Sequence, residues 1–328
     1  MAKLLCTLAL LVWGCAGAFA QPVLVPQIVG DWIQIAGDPD LGHYTAVDQQ
    51  PVDFAIWQAA DGTWQLWSCI RHTKYPGNTR LFYRWESKSL TAPDWTPVGI
   101  AMVADTALGE TEGGLQAPYV MKHGDEYLMF YGDWVHIAMA TSRDGKTFTR
   151  RLGPDGKTGM FYEGTLEANT RDPMALVIDG TFHLYYTANP MTAAELAAAG
   201  GDYSKGYGAD YVRTSRDLVR WSESRPVAAG GEAGLGTGTA ECPFVYYDRA
   251  SGYYYLFRTQ AYGPDNVSRV YRSRDPTDFG VRDDRYLIAR LPVAAPEIVT
   301  FSGETYIAAL MPNLKGIRIA KLAWVARP

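Results

Sequence analysis

Asp53, Asp172 and Glu241 each stand at the head of an apolar run rich in strand-forming residues: VDFAIW, RDPMALVI and ECPFVYY. They lie 119 and 69 residues apart, so only a fold that returns distant stretches of chain to one place can join them. Gathering three carboxylates is costly, because like charges repel and each loses its water. Taken singly, each acid reads as a turn cap or an arginine partner. As three acids heading corresponding segments of a repeat, they read as a site. The chemistry that needs such a set is hydrolysis of a glycosidic bond. One carboxylic acid protonates the leaving oxygen, and a second carboxylate activates water or attacks the sugar. A third charge nearby raises the acid's pKa. Lifting a glutamic acid from about 4.3 by two units takes about 2.7 kcal/mol, which a carboxylate a few ångströms away supplies at low effective dielectric. General acid assistance is worth about 10²- to 10⁴-fold in rate.

The elements that would position these acids repeat five times. The copies are PVDFAIWQAADGTWQLWSC from Pro51, APYVMKHGDEYLMFYG from Ala117, RDPMALVIDGTFHLYYT from Arg171, ECPFVYYDRASGYYYLFRT from Glu241 and APEIVTFSGETYIAAL from Ala295. Each reads as strand, tight turn, strand. The turns are expected at Asp61-Gly62, His123-Gly124, Asp179-Gly180, Ser251-Gly252 and Ser302-Gly303, since a glycine after a small polar residue between alternating apolar runs marks a hairpin. A second phrase follows each copy: LFYRWES, IAMATSRDG, YVRTSRD, VYRSRDP and IRIAKLAW. It reads as a third strand, with Phe148, Trp221 or Phe279 leading into a fourth in the middle three copies. The hydrophobic alternation has period two rather than 3.6, which excludes a helical repeat array. Four strands per unit of roughly sixty residues, five times over, specify an all-β fold: a five-bladed β-propeller of four-stranded antiparallel blades. In such a ring the inner strands line one channel and their heads share one mouth. Only Ala193–Ala199 looks helical. The blades need one another to bury their faces, so residues 21–328 form one domain.

These residues resemble the five-bladed propeller hydrolases of glycoside hydrolase family 43 and its sister family 32, and the resemblance spans residues 21–328. Asp53, Asp172 and Glu241 match in order and blade the general-base Asp, the pKa-tuning Asp and the general-acid Glu of family 43. Gln116-Ala117-Pro118 is similar to that family's Trp-Ala-Pro-Asp run. Arg171-Asp172-Pro173 and Glu241-Cys242-Pro243 resemble the Arg-Asp-Pro and Glu-Cys-Pro motifs of family 32, whose blade-one Asp is a nucleophile. Two departures matter. Phe54 follows Asp53 where family 32 has an Asn-Asp-Pro-Asn-Gly signature, and Tyr119 stands where family 43 has an Asp. The resemblance implies an inverting hydrolase with Asp53 as base, against a retaining fructosidase with Asp53 as nucleophile or a sugar-binding propeller without catalysis. Asp48 competes with Asp53 for the first role.

Further candidates to bind substrate are Arg171, Arg258, Trp134, Phe161, Gln116 and Glu297, with Arg71 and His72 on the rim. Each has an ordinary alternative. Arg171 reads equally as an ion pair, Trp134 and Phe161 as core, and Glu297 as a structural hydrogen-bond partner. Ser142–Phe148 also resembles the Asp-box turn of sialidases, short by one residue.

The chain of 328 residues carries 30 Lys and Arg against 35 Asp and Glu. An acidic, well-mixed surface argues against nucleic acid and anionic membranes as partners; a carbohydrate substrate and a monomer are expected. Residues 1–20 read as an export signal: Lys3, the apolar run LLCTLALLVW, and a small-x-small end at Ala18-Phe19-Ala20. Its removal takes the formal charge from −5 to −6. A periplasmic or extracellular location follows, with lipid attachment at Cys15 as the competing reading. No later run has eighteen consecutive apolar residues, so no membrane span is expected. Cys69 and Cys242 then remain, read as two separate thiols. The five His show no metal-type spacing, so no metal and no cofactor are expected.

Overall fold

The computed structural model describes residues 23–191, 193–200 and 206–327. The expected export signal and Cys15 lie outside them. The chain opens with β1 (Leu24–Gly37) and then lays down blades in sequence order. Blade I is β2 (Gln50–Gln58), β3 (Trp64–Arg71), β4 (Leu81–Ser87) and β5 (Thr96–Met102). Blade II is β6 (Gln116–His123), β7 (Glu126–Gly132) and β8 (Ile137–Ser142), whose outer side takes both β9 (Thr149–Arg150) and β10 (Gly159–Phe161). Blade III is β11 (Arg171–Ile178), β12 (Thr181–Ala188), β13 (Ala209–Ser215) and β14 (Arg225–Ala229), with the short helix α1 (Ala193–Ala198) between β12 and β13. Blade IV is β15 (Glu241–Asp248), β16 (Tyr253–Ala261), β17 (Val267–Ser273) and β18 (Leu287–Leu291). Blade V is β19 (Glu297–Phe301), β20 (Glu304–Leu310), β21 (Gly316–Ala326) and, on its outside, β1. This is the five-bladed propeller the repeats specify.

The period-two pattern has a direct cause in packing. Tyr127, Met129 and Tyr131 of β7 belong to the core shared with blades I and V. Leu128 and Phe130 of the same strand belong to the core shared with blade III. Successive side chains point to opposite faces of a strand, and here both faces are interiors. A third core joins blades III, IV and V. No blade buries its faces alone.

Turn chemistry follows the sequence with local shifts. Asp179-Gly180 and Ser302-Gly303 have positive φ at both residues, the two-residue hairpin geometry that matches strand twist. In blade II the turn moves one residue on, to Gly124-Asp125, because β6 runs through His123. The Ser-Arg-Asp runs are turn hubs. Asp144 accepts from the Ser142 hydroxyl and from the backbone N–H of Lys146 and Thr147; Asp217 repeats this with Val219 and Arg220. That closure accounts for the Asp-box likeness as a structural turn. Phe148 packs edge-on against Trp57 and Trp67. The two thiols are free and separate, as expected.

Blade V departs from a simple repeat. Its fourth strand comes from the N-terminal end of the domain, where β1 pairs antiparallel with β21 over Leu24–Gly37. Ile35 is fully buried, and its carbonyl accepts from Trp95 N–H in blade I, so β1 ties the last blade to the first. Ile35→Ala should cost about 2–5 kcal/mol of unfolding free energy by creating a cavity at that closure. Urea denaturation should still show a single transition, because the blades share their cores; two separated transitions would contradict this.

Candidate active site

A small distortion at the head of each inner strand builds the site. In four blades the pairing register shifts at this point, with one extra residue on the inner strand: between Val52 and Phe54, Gln116 and Tyr119, Arg171 and Met174, Glu241 and Phe244. The extra residue is left-handed in all four, with φ of 39° at Asp53, 43° at Ala117, 55° at Asp172 and 49° at Cys242, and Ala295, just before the inner strand of blade V, is left-handed too, with φ of 47°. The five heads therefore align as Val52-Asp53, Gln116-Ala117, Arg171-Asp172, Glu241-Cys242 and Ala294-Ala295. The three acids do not occupy one equivalent position, contrary to the sequence-based expectation. Asp53 and Asp172 are bulge residues, whereas Glu241 precedes the bulge and is the counterpart of Arg171 and Gln116. A bulge re-aims its side chains, so two successive residues both reach the channel.

The acids share one pocket of about 110 Å³, lined by Asp53, Arg71, Arg80, Gln116, Asn169, Arg171, Asp172, Glu241 and Tyr262. Arg171 is its hub. Its guanidinium gives Nη2 to Glu241 Oε1 at 2.5 Å, lies 3.6 Å by Nε from Asp172 Oδ2, and donates Nη1 to Asn169 O at 2.9 Å. Its donors are thus committed to holding the cluster. Cys242 is the second bridge: its N–H donates to Asp172 Oδ2 at 3.2 Å, and its thiol donates to Asp53 Oδ1 at 3.3 Å beside the Tyr262 hydroxyl. Burial, then Asp172, Asp53 and Glu241, push that thiol well above its ordinary range, so it stays a donor.

Burial raises Asp53, while Arg71 and Arg80 pull it back down and Glu241 pushes it up. Asp172 is raised from 3.8 to about 7, first by burial, with Arg171 opposing and Asp53 and Glu241 adding to the rise. Two carboxyl groups are therefore biased toward the neutral form beside the buried Arg171 and the half-buried Arg71 and Arg80, with Asp172 titrating near neutrality.

The other sequence candidates divide. Gln116 lines the pocket, and its buried Oε1 has no hydrogen-bond partner. Arg71 lines it as well. Asp48 is exposed in a turn outside it, which removes the rival to Asp53. Arg258 does not reach the pocket. It is fully buried behind it, donating to Thr239 O at 3.0 Å and Gly230 O at 2.9 Å, and so fixes the chain leading into Glu241. Trp134 is neither core nor a pocket wall: it has φ of 83° and lies under the Arg80 guanidinium at 4.9 Å. Phe161, on the outer strand of blade II, packs on Tyr186 and Trp221 and under Arg213, and does not line the pocket. Glu297 falls two residues past the bulge, level with Tyr119, Met174 and Phe244, and lines the channel below the pocket. Burial raises it well above its ordinary value. Sequence reasoning missed Arg80, Asn169 and Tyr262. Each follows or precedes a strand rather than heading one, so the repeat did not mark them.

No sequence-family model matches the chain, and neither does any characterised protein sequence. In structure the chain is similar to a thermostable family-43 glycoside hydrolase, with a TM-score of 0.60 and 16% identity over 87% of this chain and 92% of that one. It is similar to an endo-arabinase from Bacteroides thetaiotaomicron, with a TM-score of 0.60 and 12% identity over 85% and 95%. It is also similar to a family-32 β-fructofuranosidase from Bombyx mori, with a TM-score of 0.55 and 14% identity over 89% and 62%. At these identities the shared property is the fold: the five-bladed propeller common to both groups.

The raised Asp172 makes a pH-dependent claim. Because the folded form holds this proton more tightly, the cost of ionising it is absent below about pH 3.8, grows toward pH 7 and is constant above. Asp172→Asn escapes that cost. The Tm difference, variant minus wild type, should therefore increase from pH 5 to pH 8; a difference independent of pH would contradict the assignment.

Proposed function

We propose that the protein is a glycoside hydrolase, with Asp53 as general base, Asp172 as the group that tunes the pair and Glu241 as general acid. The observation that carries this is the convergence of three carboxyl groups from blades I, III and IV on one pocket with Arg171 between two of them. The fold shared with family-43 and family-32 enzymes supports it, as do the Arg-Asp-Pro and Glu-Cys-Pro runs. The substrate class is oligo- or polysaccharide of plant or algal type.

Asp53 activates water for attack on the anomeric carbon. Arg71 and Arg80 favour its ionised form against the effect of burial, and the Cys242 thiol orients it by donating to Oδ1. Glu241 gives its proton to the leaving oxygen. It is paired with Arg171, so the mechanism requires it to exchange that contact for the glycosidic oxygen as the sugar enters. Asp172 shares Arg171 and, by holding or releasing its own proton, sets how strongly Arg171 is drawn to Glu241. Arg258 acts at one remove, by fixing the Thr239–Glu241 backbone. Direct attack by water yields inversion. Export to the periplasm or cell exterior, and action as a monomer, complete the proposal.

Glu241→Gln should lower kcat by about 10²- to 10⁴-fold on any glycoside the wild type cleaves, with an unchanged circular dichroism spectrum. Full activity in that variant would remove the assigned acid. Proton NMR of the first-formed sugar should show the inverted anomer. A retained anomer would instead favour Asp53 as nucleophile, in the manner of family 32.

A further inference from the structure

We propose that Arg71 and Arg80 form an anion subsite above Asp53, so that the sugar cleaved here carries an acidic substituent, a carboxylate or a sulfate ester. This rests on the hydrolase reading of the pocket and names its substrate class.

Arg71 ends β3 and Arg80 immediately precedes β4, and both line the pocket that holds the three carboxyl groups. Neither closes on a carboxylate. Among the described residues no acidic oxygen lies within 4.0 Å of either guanidinium. Arg71 spends Nε on Gln50 Oε1 at 2.8 Å, and Arg80 lies over the Trp134 ring. Several other part-buried arginines are closed on acids, whereas Arg258 is held by the backbone carbonyls of Thr239 and Gly230. Arg150 is closed on Glu110, Arg171 on Glu241 and Asp172, and Arg213 on Glu163. The pocket's formal charges balance, three arginines against three acids, only if all three acids are ionised. Burial biases Asp172 toward the neutral form, and the proposed mechanism has Glu241 carry a proton while Asp53 is ionised, so the three arginines outnumber the ionised carboxylates.

The two cations are also held in place. The loop between them is fastened to the connection that leads into blade II by Asn78 N–H to Glu112 O and Arg80 N–H to Gly113 O, each 2.9 Å. Gly113 packs so tightly there that a Cβ would stand 2.3 Å from Pro76 O. A guanidinium fork matches the paired oxygens of a carboxylate or sulfate, and preorganisation spares the ligand the ordering cost. A neutral hydroxymethyl group leaves such donors without a charged acceptor, and a site built for a polar group rejects the analogue that lacks it.

The test uses matched aryl glycosides: a galactoside, its galacturonide and its 6-sulfate, and a glucoside with its glucuronide. The wild type should favour an acidic member over its neutral counterpart by at least about tenfold in kcat/KM, and the uronide and sulfate arms tell the two sources apart. Arg80→Gln should reduce that ratio by about tenfold or more, and Arg71→Gln should reduce it likewise, which guards against one variant failing to fold. Any effect of either arginine through Asp53 falls on both members of a pair and divides out of the ratio. A preference for neutral members, or a ratio unchanged in both variants, overturns the proposal and leaves the arginines as electrostatic partners of Asp53. Calorimetric titration with galacturonate, galactose 6-sulfate and galactose separates the two levels. If no glycoside is cleaved, yet the acidic sugars bind and Arg80→Gln abolishes that binding, the hydrolase reading fails and the subsite stands. If galactose binds as tightly as its acidic forms, the subsite fails whatever the turnover.

Discussion

One extra residue at the head of the inner strand in four of the five blades decides what this ring can do. In a regular strand, neighbours in sequence point to opposite faces, so Arg171 and Asp172 could not both face the channel. The bulge puts them there together, and it does the same for Glu241 and Cys242. The left-handed residue recurs in all five blades, whatever its type. Asp tolerates left-handed φ comparatively well, but Ala117, Cys242 and Ala295 accept strain of about 1–2 kcal/mol each. Strain of this kind persists only where the surroundings hold it. The tightly shared cores on both faces of each blade supply that hold.

The bulge also explains how opposite charges come to be interleaved rather than piled up. Acids at two levels, Asp53 and Asp172 at the bulge and Glu241 before it, leave room for the Arg171 guanidinium between blades III and IV. Cys242, at the bulge of blade IV, then links Asp172 through its backbone and Asp53 through its thiol. The cluster is a chain of alternating acceptors and donors, from Glu241 through Arg171, Asp172 and Cys242 to Asp53, which offsets the cost of burying charge. Behind it, Arg258 and Asp210 form a second buried layer, in which burial raises Asp210 to about 7 against the pull of Arg258. That layer does not line the pocket of the three acids, yet it fixes the approach to Glu241.

Much of this was legible in the chain. Blade count, inner strands and four of the hairpin turns follow from period-two alternation and glycine turns, because a blade buried on both faces leaves a strong local signature. The closure of blade V by β1 was not legible, since Leu24–Gly37 repeats neither phrase and its pairing with Gly316–Ala326 is wholly non-local. Of the site, the inner-strand heads were marked by the repeat, but the one-residue offset between Asp172 and Glu241 was hidden: it depends on a bulge whose residue is not a glycine. Arg258 shows the opposite failure. Its position on a strand leaving the inner hairpin suggested reach into the pocket, whereas the backbone carbonyls of Thr239 and Gly230 claim it first. Arg80, Asn169 and Tyr262 lie in connections, where no periodic signal exists.

The most direct measurement is a crystal structure of the Glu241→Gln protein with an uncleaved oligosaccharide. The account predicts a sugar ring seated over Cys242, its anomeric carbon between the Asp53 carboxylate and the amide at position 241. A sugar bound on an outer face of the propeller, with Asp53, Asp172 and residue 241 facing away from it and from one another, would contradict the account.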